Sequence, residues 1–304
     1  MATFPFSRFQ LSNNSVFVFS NSSNAFTQQP NTIFRIQTFE KQMLAEHCTT
    51  GLNVWVSPER LILVDCQPLL SASILDRSIQ VDKKFSTEYN NSYEDSIEMH
   101  SLQAIGFLSN ICHKLLVVQD HFVDPNLIRL IQTAEMLKPS SPALTVFDEE
   151  DPNPAVVDHF PDLVFVHNKA VLEDFSASGL DEMNEFYARA FSKSQFHALS
   201  RGEMSTDNGF THSHLPMENK ENELKVNLVS LPDFELFVPT DCGFESHLTF
   251  EDALLKFRRA LMTSEKRPLS TAKLSEKAWF SHMQKSWENV KSSGFYAEYS
   301  RFLR

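Results

Sequence analysis

The stretch Asp162-Leu163-Val164-Phe165-Val166-His167-Asn168-Lys169 does most to decide the fold of this chain. Its apolar centre predicts a β-strand that is buried on both faces. Asn168 and Lys169 come at the end of the apolar run, where the Asn amide can pair with a purine edge and the Lys stem can lie over the ring. The pattern indicates a strand end that reads a nucleotide base.

Two further apolar runs end in a carboxylate. Leu61–Val64 is followed by Asp65, and Leu115–Val118 is followed by Gln119-Asp120. Domains that bind guanine nucleotides keep a carboxylate in the position of Asp65 facing magnesium. In parallel sheets ligands lie beyond the C-terminal ends of the strands, so we expect these residues and Asn168-Lys169 to lie at one edge of a sheet.

Helical patterns separate the strands. Ile97–His113 has apolar residues at helical spacing, and Asp124-Pro125 is typical of a helix start, with the helix ending at Lys138-Pro139. Further helices are predicted over 180–199, 250–262 and 273–290. The alternation predicts an α/β fold, a mostly parallel sheet with flanking helices. The residues at the strand ends make it similar to the P-loop NTPase or G-domain type.

The composition of the segments predicts three regions. Residues 1–31, rich in Ser, Asn, Gln and Phe, are expected to be poorly ordered. Residues 32–264 are expected to form an incomplete G-domain-like α/β domain with inserted loops near 139–161 and 200–223. Residues 265–304 are expected to form a helical C-terminal extension that packs on that domain.

A phosphate-binding loop is not recognisable in the sequence. Such a loop, G-x-x-x-x-G-K-[ST], wraps phosphates with backbone N–H groups at a helix N-terminus. The chain has seven Gly, none before Gly51, and no Gly-Lys pair. We therefore expect the first strand and the P-loop to be missing. Either Ser15–Ser20 (SVFVFS) fills the mid-sheet position, or exposed strand edges make the isolated protein aggregate.

Charge and cysteine content narrow the function classes. Lys and Arg number 27 against 39 Asp and Glu, and the net charge of −12 argues against nucleic-acid binding through a basic face. No apolar run approaches the length of a membrane span. The four cysteines lack metal-ligand spacing, which favours free thiols in a reducing, cytoplasmic compartment; they are Cys48, Cys66, Cys112 and Cys242.

Five stretches together resemble one family, although each alone would be weak. They are Ile62–Pro68, Leu116–Asp120, Val164–Ala170, Lys277–Phe280 and Ala297–Arg301. In them the chain resembles the SMG-nine family of nonsense-mediated mRNA decay factors. That family is a G-domain-like subunit of the complex built on the phosphatidylinositol-3-kinase-related kinase that phosphorylates the decay helicase.

The resemblance implies a regulatory adaptor that is not an enzyme. The implied partners are this kinase and the eighth SMG factor, a G-domain-like sister subunit, with no direct nucleic acid or membrane. An alternative is a nucleotide-dependent NTPase switch, which requires a P-loop encoded upstream of this chain. No cofactor is certain, and a purine nucleotide with Mg²⁺ would bind if the full-length protein has a P-loop. A third reading is a misfolding-prone fragment.

The resemblance also implies site residues. Thr49 is similar to the switch threonine whose hydroxyl reaches a nucleotide-bound magnesium, and Asp65, Asn168 and Lys169 complete a vestigial or partial nucleotide site. Val171 stands where GTPases have the Asp that selects guanine, so the choice of base stays open. The competing interpretation is structural: Asp65 caps the turn that follows it, and Asn168 satisfies local backbone groups.

The C-terminal residues are rich in aromatic side chains. Aromatic residues dominate interface hot spots, which makes this stretch a candidate for docking a partner. Trp279 and Met283 share a helix face and are expected to pack on the chain's own core instead. The partner-interface candidates are Trp287, Tyr296, Tyr299 and Phe302.

Overall fold

The computed structural model describes most of the predicted domain. The described residues are 15–20, 34, 39–44, 46–57, 61–80, 93–120, 123–141, 158–200, 225–233, 238–239, 247–269 and 275–303. Most of the N-terminal segment and of the two predicted inserted loops therefore lies outside the described residues.

Six strands form the main sheet, in the order β2-β3-β1-β4-β5-β8. Their bounds are Ser15–Ser20 (β1), Leu52–Val56 (β2), Leu61–Cys66 (β3), Lys114–Gln119 (β4), Asp162–Ala170 (β5) and Leu228–Pro232 (β8). Two short antiparallel pairs accompany it: Leu199–Ser200 (β6) with Lys225–Val226 (β7), and Val238–Pro239 (β9) with His247–Leu248 (β10). In the main sheet β2 runs antiparallel to β3, and the other neighbours are parallel. The predicted α/β fold with a mostly parallel sheet is confirmed.

The centre of the sheet is occupied by β1. Ser15 pairs with Leu61 of β3 on one side, and Phe17 pairs with Lys114 of β4 on the other. The expectation that the first strand is missing is wrong, because β3 and β4 need a parallel neighbour and Ser15–Ser20 supplies it. The alternative placement of this segment at mid-sheet is confirmed.

Most helices in the described ranges overlap the predicted ones, but those at Phe39–Met43 and Ala72–Gln80 were not predicted. The helices are Phe39–Met43 (α1), Ala72–Gln80 (α2), Tyr93–Ile111 (α3), Pro125–Leu137 (α4), Ala177–Ala190 (α5), Phe250–Thr263 (α6), Glu276–Ser292 (α7) and Gly294–Phe302 (α8), with a 3₁₀ turn at Leu172–Phe175. Asp124 caps α4 as predicted: its Oδ1 accepts from the backbone N–H of Asn126 at 2.9 Å. The predicted helix over 180–199 ends nine residues early, at Ala190.

Two apolar clusters, one on each face of the sheet, hold these layers together. Ile62 and Val64 belong to the cluster that contains the buried faces of α3, α4, α5 and α7, whereas Leu61 and Leu63 belong to the cluster that contains α6. Alternate residues of a strand point to opposite faces, so β3 has to be apolar from Leu61 to Val64. None of the helices in the described ranges is long and apolar enough to cross a membrane.

The last two helices lie along α3. Trp279 Nε1 donates to the carbonyl oxygen of Ile111 at 2.9 Å, and His282 Nε2 hydrogen-bonds to that of Asn110 at 2.9 Å. Trp279 is buried and Met283 packs partly buried against the same cluster, as their helical spacing predicts. These contacts satisfy carbonyl groups at the C-terminal end of α3, which have no partner inside that helix.

Candidate functional site

Two polar clusters lie at the C-terminal edge of the sheet, where the sequence predicts the site. The first surrounds Asp65 at the end of β3. The second surrounds Asp120, which follows β4, and Asn168-Lys169 near the end of β5. The order of the strands is β3-β1-β4-β5. Two steps of about 4.8 Å between neighbouring strands separate Asp65 from Asp120 by roughly 10 Å, and a third step leads to Asn168-Lys169 on β5.

The first cluster brings Thr49 and Asp65 together. Thr49 Oγ1 donates to Asp65 Oδ2 at 2.7 Å, and Asn53 Nδ2 donates to the same oxygen at 3.3 Å. Asp65 is 1% exposed. Burial raises the pKa of the Asp65 carboxyl, and the two hydrogen bonds oppose that rise.

A tight turn holds Thr49 in this position. Gly51 has φ of 82°, a left-handed backbone conformation that Gly adopts without steric cost. Its N–H donates to Gln67 Oε1 at 2.7 Å, and its carbonyl accepts from Gln67 N at 2.9 Å. The segment before β2 is thereby tied to the end of β3, so the hydroxyl of Thr49 reaches the carboxylate of Asp65.

The second cluster is built on a β-bulge. β5 continues to Ala170, and its register with β8 shifts between His167 and Ala170. Lys169 has φ of 54°, which is unusual for a residue other than Gly. Asn168 and Lys169 therefore lie in the bulge near the C-terminal end of β5. The prediction that they form a simple loop after the strand is corrected. Bulges of this kind re-aim side chains at functional sites.

Asp120 is the residue on which the second cluster converges. Asn168 Nδ2 donates to Asp120 Oδ1 at 3.0 Å, and Lys169 Nζ donates to Asp120 Oδ2 at 2.8 Å. The sequence places Asp120 at the same edge of the sheet but does not predict that it pairs with Asn168 and Lys169. The available signal was the adjacency of two parallel strands, because β4 and β5 pair directly and their ends meet.

The residues fit a purine nucleotide only in part. The Asn168 amide and the Lys169 stem are the groups that a base would require, and both are engaged by Asp120. Thr49 and Asp65 are the oxygen-bearing side chains that magnesium prefers, and they are bonded to each other. The phosphate end does not fit, because the 304 residues contain no Gly-Lys pair with which to build a P-loop.

The four partner-interface candidates differ in exposure. Phe302 is 85% and Trp287 is 37% exposed, and Trp287 packs edge-on against Phe107. Tyr299 is half-buried, and its hydroxyl donates to Glu98 at 3.1 Å. Trp287 and Phe302 thus lie at the surface, as a docking role requires.

Tyr296 is a core residue of the chain itself. Its side chain is 1% exposed, and its hydroxyl donates to the carbonyl oxygen of Leu102 at 3.4 Å. A Cβ placed at Gly106 would lie 2.0 Å from that hydroxyl, so Gly is needed there to admit the ring. The interface role for Tyr296 is corrected, because the phenol fills the space between α8 and α3.

The chain is similar to proteins named as decay factors. No family model matches the sequence. "Nonsense-mediated mRNA decay factor SMG9" of Xenopus tropicalis is 34% identical over 291 residues, which is 90% of this chain and 56% of that protein. The Salmo salar protein of the same name is 33% identical over 285 residues, 88% of this chain and 55% of that protein. The Caenorhabditis elegans protein is 25% identical over 175 residues, 57% of this chain and 42% of that protein.

The coverage is unequal on the two sides of these comparisons. The chain spans a little over half the length of the vertebrate relatives that it matches. Within the chain, however, the similarity extends over about nine-tenths of the residues. On that homology, the chain belongs to the family of SMG9 nonsense-mediated mRNA decay factors.

Proposed function

We propose that this chain acts in nonsense-mediated mRNA decay as a non-catalytic regulatory subunit, a protein–protein adaptor in the cytoplasm. It would bind the eighth SMG factor and the phosphatidylinositol-3-kinase-related decay kinase, and so modulate phosphorylation of the decay helicase. The observation that carries the proposal is the 33–34% identity, over nine-tenths of the chain, to vertebrate proteins named as decay factors.

The chemistry of the two polar clusters supports a non-catalytic role. Thr49 bonds to Asp65, and Asn168 and Lys169 bond to Asp120. A general base needs a carboxylate within hydrogen-bond reach of a reacting water. Asp65 is 1% exposed and already accepts two hydrogen bonds, so its environment suits a structural carboxylate.

The surface of the C-terminal helices supports an adaptor role. Phe280, Phe295 and Phe302 are 52%, 61% and 85% exposed, and Trp287 is 37% exposed. Exposed aromatic side chains are the residues that contribute most to hot spots when a partner covers them.

A nucleotide-dependent switch is the second candidate. The observation in its favour is the bulge at Asn168-Lys169, where a left-handed Lys is held beside a strand-end carboxylate. Strained backbone of this kind concentrates at ligand sites. Within the proposed adaptor a bound purine nucleotide would act as a structural ligand that stabilises the folded state by mass action.

Copurification with the kinase and the sister subunit tests the adaptor. We expect the chain to bind them, and Phe302→Ala combined with Trp287→Ala to weaken binding by tenfold or more, since each buried aromatic anchor contributes about 1–2 kcal/mol or more. Met136→Ala, which removes an apolar side chain that is 75% exposed on α4, is the matched control.

Calorimetry and turnover assays separate the two candidates. Titration of the chain with Mg-ATP and Mg-GTP is expected to give no heat of micromolar binding and no release of phosphate. Turnover of either nucleotide by these 304 residues would contradict the non-catalytic role. Absence of any association with the kinase or the sister subunit would contradict the adaptor.

A further inference from the structure

The two outer strands of the main sheet are protected very differently. All five residues of β8 are buried. β2, at the other edge, has exposed residues at four of its five positions, and only Trp55 is partly covered. Within the described part of the chain, β2 has β3 as its one hydrogen-bonded neighbour.

The hydrogen bonds between β2 and β3 show which backbone groups of β2 face outward. Ser57 N donates to the carbonyl of Leu61, and Gln67 N donates to the carbonyl of Gly51, at the two ends of the β2–β3 ladder. In an antiparallel ladder the backbone groups of alternate residues point to the same side. Residues 51, 53, 55 and 57 therefore face β3, and the N–H and C=O groups of Leu52, Val54 and Val56 point away from the sheet.

The same three residues present apolar side chains. Leu52, Val54 and Val56 are 38%, 44% and 42% exposed. Leu52 is opposite Cys66, Val54 opposite Val64 and Val56 opposite Ile62, so all three continue the apolar face that α3 covers over β3. Among the described residues, the edge thus combines backbone groups that have no partner with an apolar strip at a spacing of two residues.

The edge lacks the features that keep sheets from pairing. Proteins protect exposed edges with charged side chains, proline or bulges. Leu52-Asn53-Val54-Trp55-Val56 contains no charge and no proline, and its register with β3 is unbroken. Such an edge, in a chain with a net charge of −12, is suited to add a strand from a partner of opposite charge.

We propose that the outer edge of β2 docks an extended segment of another protein, with apolar side chains at alternate positions and Lys or Arg in its flanks. The segment would pair with the backbone of Leu52, Val54 and Val56 and lay its apolar side chains against theirs. A second copy of this chain fits less well, since both copies carry the same excess of negative charge. The inference rests on the proposed adaptor function and names one of its docking surfaces.

Val54 offers a substitution that removes one backbone donor and leaves the β3 ladder intact. Val54→Pro deletes the outward N–H, and edge strands tolerate proline on that side. Val54→Lys keeps the backbone but places a charge in the apolar strip. Leu255→Lys is the matched control, because Leu255 is 48% exposed on α6, at a distance in sequence from β2. Circular dichroism and urea unfolding of all three variants establish that they fold.

The probe is a phage-displayed library of random 12-residue peptides, selected on the full chain. We expect enriched peptides with alternating apolar residues and basic flanks. Val54→Pro should bind them about fivefold to tenfold more weakly, the loss of one ladder hydrogen bond. Val54→Lys should weaken them at least as much, and Leu255→Lys should bind like the wild type. Hydrogen exchange should show that a selected peptide protects the amides of Leu52, Val54 and Val56.

Several outcomes overturn the proposal. Selected peptides that bind Val54→Lys and the wild type equally would place the docking surface elsewhere, and so would a selection that yields no peptide sensitive to Val54. Dimers of the wild type that Val54→Lys abolishes, seen by sedimentation, would identify a second copy as the occupant.

If the kinase and the sister subunit still copurify with a Val54→Lys chain that binds no peptide, the strand partner is a different protein and the adaptor function stands. If neither copurifies with the wild type, the adaptor function fails while the peptide result still decides the edge.

Discussion

The neighbouring strands β4 and β5 carry a lysine–aspartate ion pair at each of their two ends. At the N-terminal end Lys114 Nζ lies 2.7 Å from Asp162 Oδ2, and the side chains are 2% and 13% exposed. At the C-terminal end Lys169 Nζ lies 2.8 Å from Asp120 Oδ2, and the side chains are 32% and 24% exposed. The pairs are alike in length, so the difference in burial gives them different physical weight.

The contacts around each pair show what that difference does. Lys114 also donates to the carbonyl of Glu265 at 3.1 Å, and Arg267 Nε donates to Asp162 Oδ1 at 3.1 Å. The N-terminal pair therefore joins two strands to the segment that follows α6. The C-terminal pair engages the two residues that a base would need, and it is open to water. The burial of an ion pair at a strand end thus decides its role: the buried pair is structural, and the pair open to water is a candidate binding site.

The most disruptive test is Asp162→Ala. It leaves Lys114 buried without its carboxylate, and we expect the free energy of unfolding to fall by about 3–5 kcal/mol. Urea unfolding measures the change. The double variant Lys114→Met with Asp162→Ala removes the stranded charge and should recover part of the loss. A cost below about 1 kcal/mol for Asp162→Ala would mean that the two ends do not differ as described.

Acid should weaken the N-terminal end selectively. The rings of His113 and His159 lie there, 6.3 Å apart and edge to face. Burial lowers the pKa of His113 to about 3 and that of His159 to about 4. Because both folded-state values lie below the unfolded value of about 6.5, this stability is complete above that pH and is lost as pH falls from there toward the folded values.

The expected slope can be stated for each histidine. Near pH 5, each histidine should lower the free energy of unfolding by about 1.4 kcal/mol for every unit by which pH falls. His159→Gln keeps a donor for the carbonyl of Cys112, which His159 Nε2 contacts at 2.8 Å, and should remove the contribution of His159 to the slope. Urea unfolding at pH 7.5, 6 and 5 checks this. Equal slopes for the variant and the wild type would contradict the assignment.

The sequence predicts the positions of the strands and helices better than the contacts of the polar residues at the strand ends. Apolar runs locate β3, β4 and β5 to within a few residues, because a strand that is buried on both faces needs apolar side chains at nearly every position. Asp124 and Pro125 locate the start of α4 for the same local reason. The mid-sheet role of Ser15–Ser20 was one of two open alternatives, because a strand in the middle of a sheet is defined by partners distant in sequence.

The site was predicted by residue type but not by arrangement. Thr49, Asp65, Asn168 and Lys169 lie at the expected edge, yet the bulge depends on the register of β5 against β8, which no local pattern reveals. Tyr296 fails as a surface residue for a similar reason, since the space that receives it is created by Gly106 on a distant helix. Long-range packing, and not propensity, decided both.

Substitution of Lys169 separates the backbone of the bulge from its ion pair. At φ of 54° an L-residue is strained and Gly is not. We expect Lys169→Ala to be less stable than Lys169→Gly by about 1 kcal/mol, although both lose the same ammonium group. Thermal unfolding of the two variants measures the difference. Equal stabilities would mean that the bulge is held without strain.

Asp65 tests the other polar cluster. Its folded-state pKa is raised by burial, so the ionised carboxylate disfavours the folded state once pH exceeds the unfolded value near 4. Asp65→Asn keeps an acceptor for Thr49 and should raise the free energy of unfolding at pH 7 by on the order of 1 kcal/mol. The gain should shrink as pH falls through 4 toward 3, because the carboxyl then becomes protonated in both states. A loss of stability at pH 7 would show that the charge is well compensated.

The smallest effect is expected for Asp120→Asn. The pair with Lys169 is part-exposed, and such pairs contribute about 0.2–1 kcal/mol. Water can solvate the released ammonium group, and the new amide can still accept from Asn168, so urea unfolding should detect little change. The C-terminal pair would then be free to exchange Asp120 for a ligand at small cost in stability. A fall in the free energy of unfolding of about 3 kcal/mol or more would instead mean that the pair at Asp120 is as structural as the pair at Asp162. That result would remove the physical argument for a ligand site at the bulge.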